Sequence, residues 1–326
     1  MDELSSVSRS PVRSPSGAVQ NIPSPRGFVC LFFSVVLNAG GLHANRLAVA
    51  DATPLMVAFL SLLWAVVFFF ALGWIWRRAG WRALELQTAQ PGALVDFMRR
   101  KFRIMLPTAL LLAIGSWLVT VSLKQYGPAT TAFLMNLTLF MLVMAGHAMG
   151  ERLHPREGVA ILLMLCGVLI FSYNGGRLAW GALAIMGIAC AITAGKQLLV
   201  KSISATAPLP VVMCAILFLS MSSTLVAMLA TGGAVWPTRA TLLFTATGGL
   251  LCNVLGMSLL YRAYQLVGVA RGAPFDALRP LAVLVLGIPL GYALPSPVQA
   301  IGAGMILSGS VALCRWHSSR IRDMEL

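Results

Sequence analysis

Charge is what this chain has least of. Of its 326 residues only 10% are Asp, Glu, Lys or Arg, against about 25% in an ordinary soluble domain. A soluble fold with so few charges would leave most of its surface apolar, so that class is excluded. Acidic residues are scarcer still, 10 against 24 basic, too few and too scattered to build a carboxylate cage for a hard cation. Four histidines and six cysteines without a CxxC pair offer neither a zinc site nor a secreted-type disulfide framework. The cysteines (Cys30, Cys166, Cys190, Cys214, Cys252, Cys314) all lie in or at the ends of apolar runs and read as small packing residues. No HExxH, GxSxG, Walker loop or GxGxxG is present, so no enzyme chemistry, cofactor or resident metal is expected.

What is present is apolar sequence, 58% of the chain, in ten runs near 27–46, 55–76, 104–123, 130–149, 158–173, 178–199, 211–231, 241–262, 272–291 and 298–314. A bilayer core demands spans of about 20 such residues. The expected fold class is an all-α membrane protein with ten transmembrane helices. Turn chemistry separates the runs: Thr53-Pro54, Gly127-Pro128, His154-Pro155, Asn174-Gly175-Gly176, Gly232-Gly233 and Pro295-Ser296-Pro297. Residues 1–26, with seven Ser, four Pro and little apolar content, are expected to be a disordered tail, and 316–326 a second tail. The longest connection, 77–103, carries Arg77, Arg78, Arg82, Arg99, Arg100, Lys101 and Arg103. Within it Leu94, Phe97, Met98 and Phe102 recur at helical spacing. Two readings fit: a helix lying among anionic lipid headgroups, or a solvated basic loop.

The net charge of +14 would suggest nucleic acid in a soluble protein. Here the charges sit between spans, so topology explains them and no nucleic-acid partner is expected. With ten spans, 19 Lys/Arg fall on the side of the two termini, four on the other, and Arg279 lies within a span. The bias predicts that both termini are cytoplasmic. A tag at either end is expected to resist protease in intact spheroplasts and to be cleaved after lysis. Cleavage from outside would overturn the orientation.

An internal repeat follows. Gly127, Ala129, Gly150 and Leu153 match Gly268, Ala270, Gly291 and Leu294 at one constant offset, and Ala160-x6-Gly167 falls on Gly302-x6-Gly309 after a one-residue shift. A five-span unit repeated in tandem must be inverted, because an odd number of crossings flips the second copy. The expected architecture is therefore two inverted five-helix repeats, 27–173 and 178–315, with any binding site near the midplane between them.

The run AFLMNLTLFMLVMAGHAMGERLHPREGVAILLMLCGVLIFSY ends a long helix in Gly150-Glu151-Arg152-Leu153 and follows it with a Gly-punctuated helix. It resembles the end of an EamA domain, and GVARGAPFDALRPLAVLVLGIPLGYALPSPVQAIGAGMILSGSVAL resembles the same ending in a second copy. From about Gly27 to Leu313 the chain is similar to the ten-helix EamA branch of the drug/metabolite transporter superfamily. The second copy departs by having Gly291-Tyr292-Ala293 without the acidic residue. Where the family often has an acidic residue before a proline in the ninth helix, this chain has Arg279-Pro280, and Thr138-Leu139 stands at the equivalent place in the fourth. The resemblance implies a secondary carrier in a bacterial inner membrane that moves a small polar metabolite or drug, most often outward, by alternating access. A facilitator or importer of an anionic solute is the alternative that Arg279 favours; a membrane scaffold or an intramembrane enzyme on lipid stands outside transport.

Ionisable and polar groups inside spans supply the candidate site, because each intramembrane charge costs about 2.5–3.5 kcal/mol on insertion scales. Asp276 and Arg279, three residues apart on one expected helix face, can pair or can hold a carboxylate or phosphate, with Pro280 loosening the helix beside them. Asp276 and Glu151 are the candidates for coupling, although for Glu151 the leading reading is organisation of the helix end, where it can pair with His147. Asn38 and Asn253 fall near the centres of spans 1 and 8, and Asn136 nearer the outer end of span 4. Each fits either substrate contact or interhelical packing, and packing leads for Asn38, whose face also holds Gly41 and Asn45. His43 titrates near neutral pH, while Trp117, Tyr261 and Tyr264 pack beside substrate or sit in the aromatic belt. Lys196, near the inner end of span 6, is read as snorkelling to the headgroups.

Overall fold

The computed structural model describes residues 25–78, 91–148, 155–174, 177–204, 209–232, 236–267, 275, 277–292 and 295–325, and these are almost wholly helical. The helices are α1 (Pro25–Ala48), α2 (Pro54–Arg78), α3 (Pro91–Met135), α4 (Leu137–Ala148), α5 (Pro155–Phe171), α6 (Trp180–Ser204), α7 (Leu209–Ala230), α8 (Arg239–Gly248), α9 (Met257–Val267), α10 (Arg279–Gly287) and α11 (Pro297–Glu325). A π-helical segment, Gly249–Gly256, joins α8 to α9, and a 3₁₀ turn, Ile288–Leu290, closes α10. A two-residue ladder pairs β1 (Tyr173–Asn174) with β2 (Arg177–Leu178) between α5 and α6. Five of the helices begin at a proline, whose missing N–H is one of the donors a helix start leaves unused in any case.

Six helices are long and apolar enough to cross a membrane: Pro25–Ala48, Pro54–Leu72, Met98–Met135, Trp180–Val200, Val212–Ala230 and Arg239–Leu260. The chain is therefore an all-helical membrane protein. The third of these counts 38 residues, about 57 Å at 1.5 Å per residue, nearly twice the hydrocarbon core. Gly127 divides it: its backbone, at φ 81° and ψ 172°, leaves the helix just before Pro128, at the turn the sequence marks. Shorter apolar helices occupy Arg279–Leu290 and Pro297–Leu313.

Two expected features differ. The basic stretch is not all loop, because residues 91–103 are the first turns of α3 and continue without a break into its apolar part. Met98 packs there against the cluster of Met105, Ile203, Val212 and Ile216, which ties this end of α3 to α6 and α7. The ninth run is not one helix either. Ala277 and Leu278 form a turn and α10 begins at Arg279, because Pro280 cannot donate to the carbonyl four residues before it and its ring crowds that turn.

Packing is closest where small residues face each other. On α5 and α11, a Cβ at Gly167 would lie 2.7 Å from the Gly302 carbonyl, and one at Gly309 would lie 2.8 Å from the Ala160 carbonyl. The order of these contacts shows that the two helices run antiparallel. Along α1 and the π segment, a Cβ at Gly41 would lie 2.6 Å from that of Cys252, and one at Gly256 would lie 2.7 Å from the Asn38 Nδ2. The α3–α6 pair repeats the arrangement more loosely, with Gly115 facing Ile192 and Gly195 facing Leu111. Leu62, Ala65 and Phe69 of α2 meet Cys214 and Leu217 of α7. Phe133 and Phe171, with ring centroids 4.7 Å apart, anchor the cluster shared by α3, α5, α6 and α11.

Candidate functional site

Two interrupted helices meet inside the bundle. Between α3 and α4 the helix breaks at Asn136, whose N–H bonds back only three residues to the Phe133 carbonyl while its own carbonyl accepts from Leu139 N–H. That break frees the Asn136 amide, which donates from Nδ2 to the Ala277 carbonyl at 3.3 Å, in the turn that precedes α10. Irregular backbone inside a membrane protein persists where side chains or a polar cavity satisfy it, and here the Asn136 side chain satisfies the Ala277 carbonyl. The Cys190 thiol of α6 donates to the Leu134 carbonyl at 3.4 Å, so α6 lies beside the same junction.

Charge gathers at this junction. Arg279 follows Ala277 by two residues and opens α10, whose N-terminus carries no side-chain cap. The Lys196 ammonium of α6 lies within electrostatic reach of the Arg279 guanidinium and of the Cys252 thiol. Cys252 in turn donates to Asn38 Oδ1 at 3.1 Å. It sits in the π-helical segment, a local widening of the kind that recurs at functional sites. Of the acidic residues, Asp51 lies in the α1–α2 turn and Glu157 in the first turn of α5.

The sequence candidates divide. Arg279 and Asn136 are brought to the junction, and Asn253 lies half-buried in the π-helical segment next to Cys252. Asn136, expected nearer the outer end of span 4, is bonded to Ala277 of the ninth run. Asn38 is 1% exposed and engaged in packing, donating to the Ser34 carbonyl at 2.8 Å while it accepts from Cys252. Ser34 adds a bond to the Gly256 carbonyl, which completes a polar seam between α1 and the π segment. His43 is 4% exposed; its Nε2 donates to the Val283 carbonyl at 2.8 Å and its ring stacks on Tyr292 at 5.3 Å, joining α1 to α10 toward the far end of both. Trp117 is not at the junction. It shares an exposed stripe of α3 with Leu110 and Ile114, at spacings of seven and three residues. Asp276, Glu151 and the side chains of Tyr261 and Tyr264 lie outside the described residues.

The polar seam makes Asn38→Ala a discriminating variant. It removes the interhelical bond from Cys252 and the bond to Ser34 within α1 and is expected to cost about 1 kcal/mol, read as a lower melting temperature, with transport retained in the folded fraction. A variant that melts like the parent but loses transport would instead put Asn38 on the substrate path.

Lys196 lies where the sequence places it, near the inner end of span 6: the apolar part of α6 ends at Val200, and the helix continues to Ser204.

No protein-family model and no curated protein matches the chain. A solved structure described as "Crystal structure of protein" shares the fold at a TM-score of 0.60, over 88% of this chain and 95% of that one, with 16% identity. At that identity the likeness concerns the fold alone.

Proposed function

We propose that this chain is a secondary transporter of the EamA kind: ten crossings in two inverted five-helix halves that move a small polar solute by alternating access, outward across a bacterial inner membrane. The observation that carries the reading is a set of reciprocal contacts. Asn136 and Ala277, bonded to one another, occupy the same place in the two copies at the offset that relates Gly127 to Gly268. Ala160 and Gly167 correspond to Gly302 and Gly309, and the contacts run crosswise, Gly167 on Gly302 and Ala160 on Gly309. Crosswise contact between equivalent positions is the mark of a two-fold axis, and antiparallel helices put that axis across the helix direction, as inversion requires. Gly115 and Gly256 also stand 141 positions apart, and each packs against the first helix of the other half, on Ile192 of α6 and Asn38 of α1.

Residues at the axis belong to neither half alone, so a rocking motion of one half against the other alternately exposes them to each side. The helix interruptions at Asn136 and before Arg279 are where such carriers place solute. With no nucleotide-binding motif in the sequence, a gradient supplies the energy, and Asp276 and Glu151 are the candidates to couple it. The test is a metabolite comparison, in medium and cytoplasm together, between cells lacking and cells overproducing the protein. A compound lost from the cytoplasm and gained outside only with the protein supports export. Accumulation inside would reverse the direction, and no change in any solute would sink the transport reading.

A further inference from the structure

Resting on the inverted-repeat carrier reading, we infer that the contact between His43 and Val283 is the outer gate of the solute path, and that Gln197 closes on the Leu142 carbonyl as the inner gate when the outer one opens. Four glycine contacts fix which residues correspond. Gly41 meets Cys252 as Gly195 meets Leu111, and Gly256 meets Asn38 as Gly115 meets Ile192. Gly195 and Ile192 stand 154 positions after Gly41 and Asn38, while Cys252 and Gly256 stand 141 after Leu111 and Gly115. The same offsets carry His43 of α1 to Gln197 of α6, and relate Val283 of α10 to Leu142 of α4. Val283 follows Ala277, and Leu142 follows Asn136, by six residues, about 9 Å along a helix. Inversion therefore sets one pair on each side of the Asn136–Ala277 junction. The two pairs differ in the structure. His43 is 4% exposed and Val283 1%, the imidazole Nε2 donates to the Val283 carbonyl at 2.8 Å, and Val283 joins Ala39, Leu42, Leu123 and Ala132 in one apolar cluster. Gln197, in contrast, is exposed and Leu142 half-buried, although α6 and α4 still meet nearer the junction through Ala189, Cys190 and Leu137. The molecule is sealed at the His43 end and looser at the Gln197 end, which under the predicted topology is an inward-facing state. An imidazole and a primary amide can each donate one N–H to a carbonyl, so the same kind of bond closes either end. Closure at the His43 end is also reversible: the buried Nδ1 has no hydrogen-bond partner, and an unmet polar atom offsets part of what the bond contributes.

The test is hydrogen–deuterium exchange of the full-length protein in proteoliposomes, read segment by segment. His43→Ala is expected to raise exchange in residues 40–48 and 283–290, the ends of α1 and α10, and to lower it in residues 139–148 and 193–204, the ends of α4 and α6. The population moves about five- to tenfold toward the outward-open state, the weight of one buried hydrogen bond. His43→Phe keeps a ring to stack on Tyr292 but no donor. It is expected to shift the same way and covers the case in which the alanine variant does not fold. His43→Gln, which restores a donor for the Val283 carbonyl, is expected to exchange like the parent. Adding Gln197→Ala to His43→Ala or His43→Phe is expected to keep the rise at the outer segments and abolish the fall at the inner ones. A full fall in that double variant would remove Gln197 from the inner gate and overturn that half of the inference. A rise at the outer segments with no fall at the inner ones in the single variants would make His43 an ordinary packing residue. That outcome overturns the gates, as does exchange unchanged at both ends. Reciprocal exchange, with no solute moved in the metabolite comparison, keeps the two gates and removes the carrier. Export of a solute by a protein whose exchange changes at one end alone keeps the carrier and overturns the gates.

Discussion

Gly302→Val is expected to leave no stably folded protein, while Gly304→Ala, two residues along the same helix, is expected to be neutral or slightly stabilising. A Cβ at Gly302 would lie 2.5 Å from the Phe171 nitrogen, 2.8 Å from the Gly167 carbonyl oxygen and 2.9 Å from the Phe171 Cα, whereas one at Gly304 would meet nothing within 4 Å. All three obstacles at Gly302 are backbone atoms of α5, so no side chain can turn aside and the helices themselves must separate. Overpacking of a close interface costs about 1–3 kcal/mol for a modest insertion and more when backbone has to move. Lipid tails supply no hydrophobic drive to compensate for the lost contact. Gly167→Val, across the same contact, is expected to fail equally. Thermal melting and size-exclusion profiles in detergent read the outcome. A Gly302→Val protein that elutes and melts like the parent would mean that α5 and α11 do not approach as closely as described.

Arg279→Ala is expected to reduce solute flux to the background of empty liposomes, a loss of about a hundredfold or more, with membrane insertion and melting unchanged. Arg279 opens α10 beside the Ala277 turn, so its loss removes the planar donor fork from that junction. Arg279→Lys retains the charge but not the fork and is expected to fall between the two. Should flux survive Arg279→Ala intact, the arginine is structural, and the charge at the junction serves the fold rather than the solute.

Part of this was readable in the chain. Its scarcity of charge excludes a soluble fold, and the prolines at positions 25, 54, 91, 155 and 297 are where helices begin, since a proline constrains its own backbone wherever it stands. Gly127 turns the chain as its glycine-proline pair announces. The offset that relates Gly127 to Gly268 could be laid out before any contact was seen. Arg279 stood out because a charge in an apolar run is costly regardless of its neighbours.

Other features were not readable, and the reason is physical. In a bilayer the lipid-facing and protein-facing sides of a helix are both apolar, so period does not separate them; Trp117 lies on the exposed stripe although nothing in its run says so. Whether Asn38 meets solute or Cys252 depends on a helix more than 200 residues away. The interruption at Asn136 has no proline or glycine at it and is stabilised by a bond to Ala277, 141 residues along the chain. Local sequence fixes what each segment is because backbone geometry and the transfer of apolar groups from water act within a few residues. Which segments lie side by side, and so which polar groups share a junction, is set by close contact between glycine-bearing faces far apart in the chain, and only the folded molecule contains those contacts.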